Sequence, residues 1–230
     1  RENRIGVGTT VRVIKSGKII PKVVGVVSGH RDPVVPATCP KCSHKLAVIA
    51  GEQDGKEALV CENSFCGERA VAGLCHYLKT MEVKGLAEAT VEKLFEAKVV
   101  KTPADFYRMT TAQMEAAGLS ERQALLAQAR VLMLDKADKM EDDDLKKFVT
   151  DARTKKVEVP FWRFLAALGF EGIGKTSGRA LQSKFGTIDG MRSATEADFL
   201  EVDGFGEKSA SVLRQALDSN ADVIDDVLRH

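Results

Sequence analysis

Cys39, Cys42, Cys61 and Cys66 are the side chains best spaced to do chemistry in this 230-residue sequence. They read C-P-K-C, then eighteen residues, then C-E-N-S-F-C. Two close pairs joined by a short hairpin can bring four thiolates to the corners of a tetrahedron, the geometry that Zn²⁺ favours. With every position filled by protein, such an ion supports folding rather than catalysis. Pro40 suits a tight turn between the first two ligands. His44 is close enough to substitute as a ligand, but four cysteines already complete the set. Cys75 reads as a buried helix residue, and His30, His76 and His230 show no ligand spacing.

The elements that must position these thiols follow from local pattern. Residues 9–14 (TTVRVI) and 19–28 (IIPKVVGVVS) are β-branched runs separated by Ser16-Gly17, which predicts a hairpin. Pro21 predicts an edge position or a bulge. Two strands alone are marginal, so the hairpin is expected to be a fragment of a larger sheet whose other strands lie outside this sequence. Strand alternation predicts that only one of Ile19 and Ile20 is buried. Three regions emerge: residues 1–35 with the hairpin, residues 36–69 with the cysteines, and residues 70–230 with helical periodicity and short glycine punctuation. The fold class is mainly α with small β parts.

Composition narrows the function classes. No apolar run is long enough to span a membrane, and no signal peptide opens the sequence. The cysteines therefore suit a metal site in a reducing cytoplasm rather than a disulfide framework. The net charge is only +1. Residues 1–35, however, hold seven basic side chains (Arg1, Arg4, Arg12, Lys15, Lys18, Lys22, Arg31) against Glu2 and Asp32, a local excess of +5. Acidic residues gather elsewhere, in Glu141 to Asp144 and in Asp218 to Asp226. A basic segment offset by remote acid suits a polyanion, although a solvated strand edge looks the same by charge alone. Asp142, Asp143 and Asp144 fit a solvated helix face better than a Mg²⁺ site. Trp162, with Phe161, Phe164 and Leu165, fits a core stripe better than a stacking platform.

The helical part contains an internal repeat. Its copies are V-K-G-L-A-E-A-T-V-E-K-L at 83–94, A-A-G-L-S-E-R-Q-A-L-L at 116–126, E-G-I-G-K-T-S-G-R-A-L at 171–181 and V-D-G-F-G-E-K-S-A-S-V-L at 202–213. Each has a small-apolar-small turn followed by an apolar helix. The first small positions are Gly85, Gly172 and Gly204. The second are read at Ala87, Gly118, Gly174 and Gly206, which are 31, 56 and 32 residues apart. On this reading the second copy lacks its first glycine, carries Glu121 beside the turn and is structural only. The wide middle gap predicts an insertion within residues 130–158. Glycines at a helix N-terminus let consecutive backbone N–H groups face outward, where with the helix dipole they hold a phosphate without reading a base. Lys175, Thr176, Lys208 and Ser209 stand where they can add contacts. A lone G-x-G is equally a helix cap; the repetition favours helix-hairpin-helix DNA binding.

Taken in order, these parts resemble the bacterial NAD-dependent DNA ligases. Lys15 to Val24 (KSGKIIPKVV) is similar to that family's OB-fold stretch R-x-G-x-x-I-P-x-V-V. Pro36 to Cys42 resembles the opening of its four-cysteine zinc module, and four helix-hairpin-helix motifs follow. Thr102 to Tyr107 and Phe164 to Gly169 add smaller matches. The resemblance implies that residues 1–35 are a partial OB fold, 36–69 a zinc finger with structural Zn²⁺ on Cys39, Cys42, Cys61 and Cys66, and 70–230 a helix-hairpin-helix domain. It implies that Lys15, Lys18, Ile19, Ile20 and Lys22 meet the minor groove at a nick. It also implies that Gly85, Ala87, Gly118, Gly172, Gly174, Lys175, Thr176, Gly204, Gly206, Lys208 and Ser209 line the hairpin contacts to duplex. The family has Arg at the position of Lys15 and Asp at that of Lys18, so the contact at Lys15 is that of a point charge rather than a planar fork.

The family's adenylated lysine lies in K-x-D-G, and this sequence has no such string. No catalytic residue is therefore assigned. NAD and Mg²⁺ are expected on a partner adenylation domain or subunit and not on this chain. The expected setting is the cytoplasm of a bacterial or bacteriophage-infected cell, with nicked duplex DNA as the other partner. The alternatives are a non-catalytic repair scaffold for nicked or branched DNA and a zinc-stabilised protein-interaction domain.

Overall fold

The computed structural model describes residues 5–17, 19–50, 57–63, 66–134, 136–152 and 159–229. The chain divides into two compact units, Arg1–Cys66 and Gly67–His230. Lys18, one of the expected groove contacts, lies outside the described residues, as does His230.

The first unit holds two antiparallel ribbons. Strand β1 (Thr10–Ser16) pairs with β2 (Ile20–Ser28), and β3 (Leu46–Ala50) pairs with β4 (Glu57–Cys61). Gly17, at φ 63°, turns the first ribbon. Pro21 sits opposite Lys15 on a strand with an open edge, and the register shifts fall at Val24 and Val27 instead. Ile19 and Ile20 are both exposed, at 83% and 71%, which corrects the expectation that one of them is buried. Alternation buries a face only where a second layer covers it, and among the described residues of this unit the ribbon has none. Val13, Ile14, Val23, Val24 and Val27 are exposed as well. Among the described residues of this unit, the only buried side chains are Cys39 and Cys66.

The second unit is helical. Its elements are α1 (Gly67–Thr80), α2 (Glu88–Glu96), α3 (Asp105–Arg108), α4 (Thr111–Ala116), α5 (Glu121–Val131), α6 (Asp142–Ala152), α7 (Phe161–Ala167), α8 (Lys175–Phe185), α9 (Ile188–Ser193), α10 (Glu196–Leu200), α11 (Glu207–Ser219) and α12 (Ala221–Leu228). The helices are short, from 4 residues in α3 to 14 in α1. None buries its apolar stripe alone, so the stripes meet in one continuous core from Val71 to Val227. Cys75 is a half-buried α1 residue at the edge of that core.

Short polar devices fix the connections. The Asp105 carboxylate accepts from the Lys101 and Thr102 amides, both at 2.8 Å, and Arg108 links Asp105 to Asp226 of α12. Burial alone acts to raise the Asp105 pKa, but these hydrogen bonds outweigh it and hold the group below its ordinary 3.8. Asp198 is lowered in the same way, first by the Thr195 amide of its capping box. A carboxylate whose pKa falls on folding stabilises the protein above the unfolded value, and that contribution is lost as pH drops through the folded one. Thermal melting is therefore expected to be level near neutrality and to fall once pH drops below 3.8. Asp105→Asn is expected to lower the neutral-pH melting temperature and flatten that acid limb; an unchanged limb would remove Asp105 from the account.

The inserted segment forms a satellite. Leu125 and Ala129 of α5 meet Ala137, Leu145 and Val149 in a second small core. Asp142, Asp143 and Asp144 occupy the first turn of α6, where negative charge complements the helix dipole. Asp142 accepts from Arg122 at 2.6 Å, and Lys146 pairs with Glu121 at 2.6 Å. The acidic run thus has a structural use against α5.

Candidate metal centre and nucleic-acid interface

The four predicted cysteines converge. Their sulfur atoms all lie within 4.8 Å of one another, with Cys39 to Cys66 at 3.9 Å and Cys42 to Cys61 at 3.6 Å. A tetrahedral ion with Zn–S bonds of about 2.3 Å requires S···S edges of about 3.8 Å, so the donor set fits. Local backbone explains the convergence. The Ser43 amide donates to the Cys39 carbonyl and the Cys39 amide donates to the His44 carbonyl, both at 2.8 Å. Ser43 adopts φ 57° to close that loop. Cys61 ends β4 opposite Leu46, and the Cys66 amide turns back to the Asn63 carbonyl at 3.0 Å. The histidine contributes backbone only, since the clustered ligand atoms are the four thiols.

The thiols differ in acidity. A hydrogen bond from the His44 backbone, then one from Asn63, lowers Cys42 to about 6. At Cys61 the Asn63 amide also acts to lower the pKa, but desolvation and the neighbouring thiols prevail and push it up to about 12. Cys42 thus gives up its proton readily while crowding opposes the loss from Cys61, a situation that a divalent cation relieves.

Each repeat copy forms a hairpin whose middle apolar residue faces inward. Ile173 and Leu119 are buried, and Phe205 and Leu86 are half-buried against the core. Gly85, Gly172 and Gly204 carry φ between 78° and 84°, a conformation that penalises any Cβ. Ala87, Gly174 and Gly206 are the N-caps of α2, α8 and α11.

The second copy is set two residues further on than its sequence suggested. Gly118 has φ 89° and occupies the first small position, while Ser120 is the N-cap of α5. That copy therefore keeps its first glycine and has serine at the second position. The missed signal was S-E-R-Q, a capping box in which Ser120 and Gln123 satisfy each other's amides. The N-caps then lie at 87, 120, 174 and 206, or 33, 54 and 32 residues apart.

The copies separate into two kinds. In the third and fourth, Gly174 and Gly206 have φ −106° and −117°, ordinary extended backbone, and an added Cβ would meet nothing within 4 Å. The fold has no need of glycine there. Ser177 and Ser209 receive the N-cap amides at 2.9 and 2.8 Å. Ser209 also donates its proton to the Gly206 carbonyl at 2.9 Å, so it braces the turn. Gly172, Gly174, Lys175, Thr176, Gly204, Gly206 and Lys208 are exposed. Helix geometry leaves the first-turn amides of α8 and α11 without helical acceptors, pointing outward with the positive dipole end.

The first and second copies are instead engaged within the protein. Arg130 of α5 donates to the Gly85 carbonyl at 3.1 Å and pairs with Asp138. A Cβ at Gly85 would collide with the Arg130 guanidinium. Glu121, first in α5, is bound to Lys146. In the first unit, Lys15 and Lys22 are exposed on β1 and β2. Sequence reasoning missed Arg130, and nothing local marks a contact made 45 residues away. It also placed Trp162 in the core. Phe164 and Leu165 are buried there, but Trp162 is only half-buried and carries three cations around its ring.

A helix-hairpin-helix motif model matches residues 163–223, which are the third and fourth copies. The chain is 32% identical to the DNA ligase of Macrococcus caseolyticus (strain JCSC5402) over 231 residues, covering 97% of this chain and 31% of that protein. It is 30% identical to the DNA ligase of Bacillus pumilus (strain SAFR-032) over 220 residues, covering 93% of this chain and 29% of that protein. It thus spans less than a third of the length of these relatives. No helix among the described residues is long and apolar enough to cross a membrane. Four-cysteine cluster and repeated hairpins together, the chain is a relative of the DNA ligases that corresponds to one segment of their length.

Proposed function

We propose that this chain is the DNA-clamping part of an NAD-dependent DNA ligase, acting with an adenylation domain or subunit to seal 3′-hydroxyl/5′-phosphate nicks in duplex DNA. One observation carries the reading. Gly174 and Gly206 cap two exposed helix N-termini where the protein itself has no use for glycine. A missing Cβ at an outward-facing turn admits a backbone from outside, and a phosphate is the group those amides favour.

In this reading the third and fourth hairpins each hold a phosphate, with Lys175, Thr176 and Lys208 beside them. Ser177 and Ser209 brace the turns. The first hairpin, with Gly85 and Ala87, is held through the Gly85 carbonyl and the second, with Gly118, through Glu121, and in this reading both serve as frame. Lys15, Lys22, Ile19 and Ile20 present a basic and apolar ribbon to the minor groove, and the ribbon's open edges take up neighbouring strands. Cys39, Cys42, Cys61 and Cys66 hold a structural Zn²⁺ that joins the two ends of the β3–β4 module. NAD and Mg²⁺ act on the adenylation partner, which supplies the adenylate; this chain positions the nick. Affinity should fall steeply with salt and vary little with sequence, because the contacts are to phosphates.

The test is nick sealing by this chain mixed with a separately purified adenylation domain and NAD, each alone serving as control. Sealing only in the mixture supports the reading. No sealing, with tight binding of nicked duplex retained, leaves a DNA-binding scaffold; no duplex binding at low salt removes both.

A further inference from the structure

Trp162 is the chain's single tryptophan. It stands near the start of α7, where its amide donates to Gln182 of α8 at 2.8 Å. The two helices approach closely there, since a Cβ at Gly178 would lie 2.9 Å from the Trp162 carbonyl oxygen. That contact fixes the indole against one face of α8. Lys175 and Arg179, four residues apart on α8, place their charges 5.7 and 4.9 Å from the ring centroid. Arg163 adds a third cation at 5.4 Å, but its charge is matched by Glu82 at 3.2 Å. No acidic side chain among the described residues pairs with Lys175 or Arg179. Two unmatched cations are thus held in a fixed arrangement by an aromatic face instead of by carboxylates. Intramolecular ion pairing would compete with an incoming anion, whereas stacking orders a guanidinium and leaves its donor edge open.

We propose that Trp162, Lys175 and Arg179 form a second phosphate-binding platform, which extends the contact of the third hairpin to a further phosphodiester of the same duplex. Arg179 is the contacting group, Lys175 is shared with the hairpin, and Trp162 is a positioning residue. Lys175 directly follows Gly174, and Arg179 lies about 6 Å further along α8, so the platform continues from the hairpin turn. The inference rests on the nucleic-acid reading above.

The experiment measures the affinity of a labelled nicked duplex against salt concentration for the full chain and its variants, together with the emission of Trp162. Neutralising one phosphate contributes about 0.9 to the slope of log K against log salt on B-DNA. Arg179→Gln is expected to reduce the slope by about that amount, and Arg179→Lys to restore it. Trp162→Leu is expected to weaken binding about two- to fivefold at constant melting temperature, and Trp162→Phe to recover it. Trp162 emission in the parent chain should change on duplex addition and revert with salt. An unaltered slope in Arg179→Gln and constant Trp162 emission, with duplex still bound, would overturn the platform and leave the hairpins standing. Failure of the parent chain to bind duplex at low salt would overturn both.

Discussion

Replacing Cys66 by alanine is expected to abolish metal binding and unfold the β3–β4 module, while the helical unit keeps its own cooperative melting transition. The first unit supplies the reason: its buried side chains, among the described residues, are two of the four proposed ligands. Without an apolar interior, a module of this size depends on its ion, and structural zinc contributes roughly 10–16 kcal/mol at neutral pH. The helical unit has a separate core, so it should not follow. Chelation should act like the mutation, release zinc and make four thiols reactive together. Acidification should release the metal too, because the ligands bind as thiolates. Protein prepared without chelator and carrying almost no zinc, yet with its thiols protected and its β signal intact, would overturn the assignment.

Changing Gly174 and Gly206 together to serine is expected to lower duplex affinity about a hundredfold, or roughly 2.7 kcal/mol, with little change in melting temperature. Serine is a favoured N-cap, and both sites have the space and backbone angles to accept it. Stability should therefore hold, and the loss should come from a hydroxymethyl group standing where a phosphate approaches. The control lies within the chain, since Ser120 already occupies the equivalent place in the second hairpin. The contrasting pair is Gly172→Ala and Gly204→Ala, where positive φ makes the cost conformational and the melting temperature should drop. Full affinity in the double serine variant would remove the third and fourth hairpins from DNA contact.

The cysteine cluster was legible because its information is in residue type and spacing. The strands were also close, with 9–14 and 19–28 expected against Thr10–Ser16 and Ile20–Ser28 observed. The repeats were visible as a family of turns, yet the second was misregistered. A single glycine satisfies either small position, and only the need for positive φ before the buried Leu119 decides between them. Ile19 and Ile20 escaped prediction for a different reason: alternation states which face is apolar, not whether anything covers it. Arg130 on Gly85 and the cations around Trp162 are tertiary contacts, and no local pattern carries them.

The β1–β2 ribbon also governs how this protein behaves alone at high concentration. Valines and isoleucines lie exposed on a two-stranded sheet whose edges pair with no further strand among the described residues, the arrangement from which chains stack edge to edge. Arg12, Lys15 and Lys22 interrupt that surface and act as gatekeepers, keeping copies apart by mutual repulsion. A polyanion that neutralises these charges disarms the gatekeepers. Turbidity should then appear when short duplex is added to concentrated chain lacking a partner for the ribbon, and a neighbouring sheet that covers the edges should clear it.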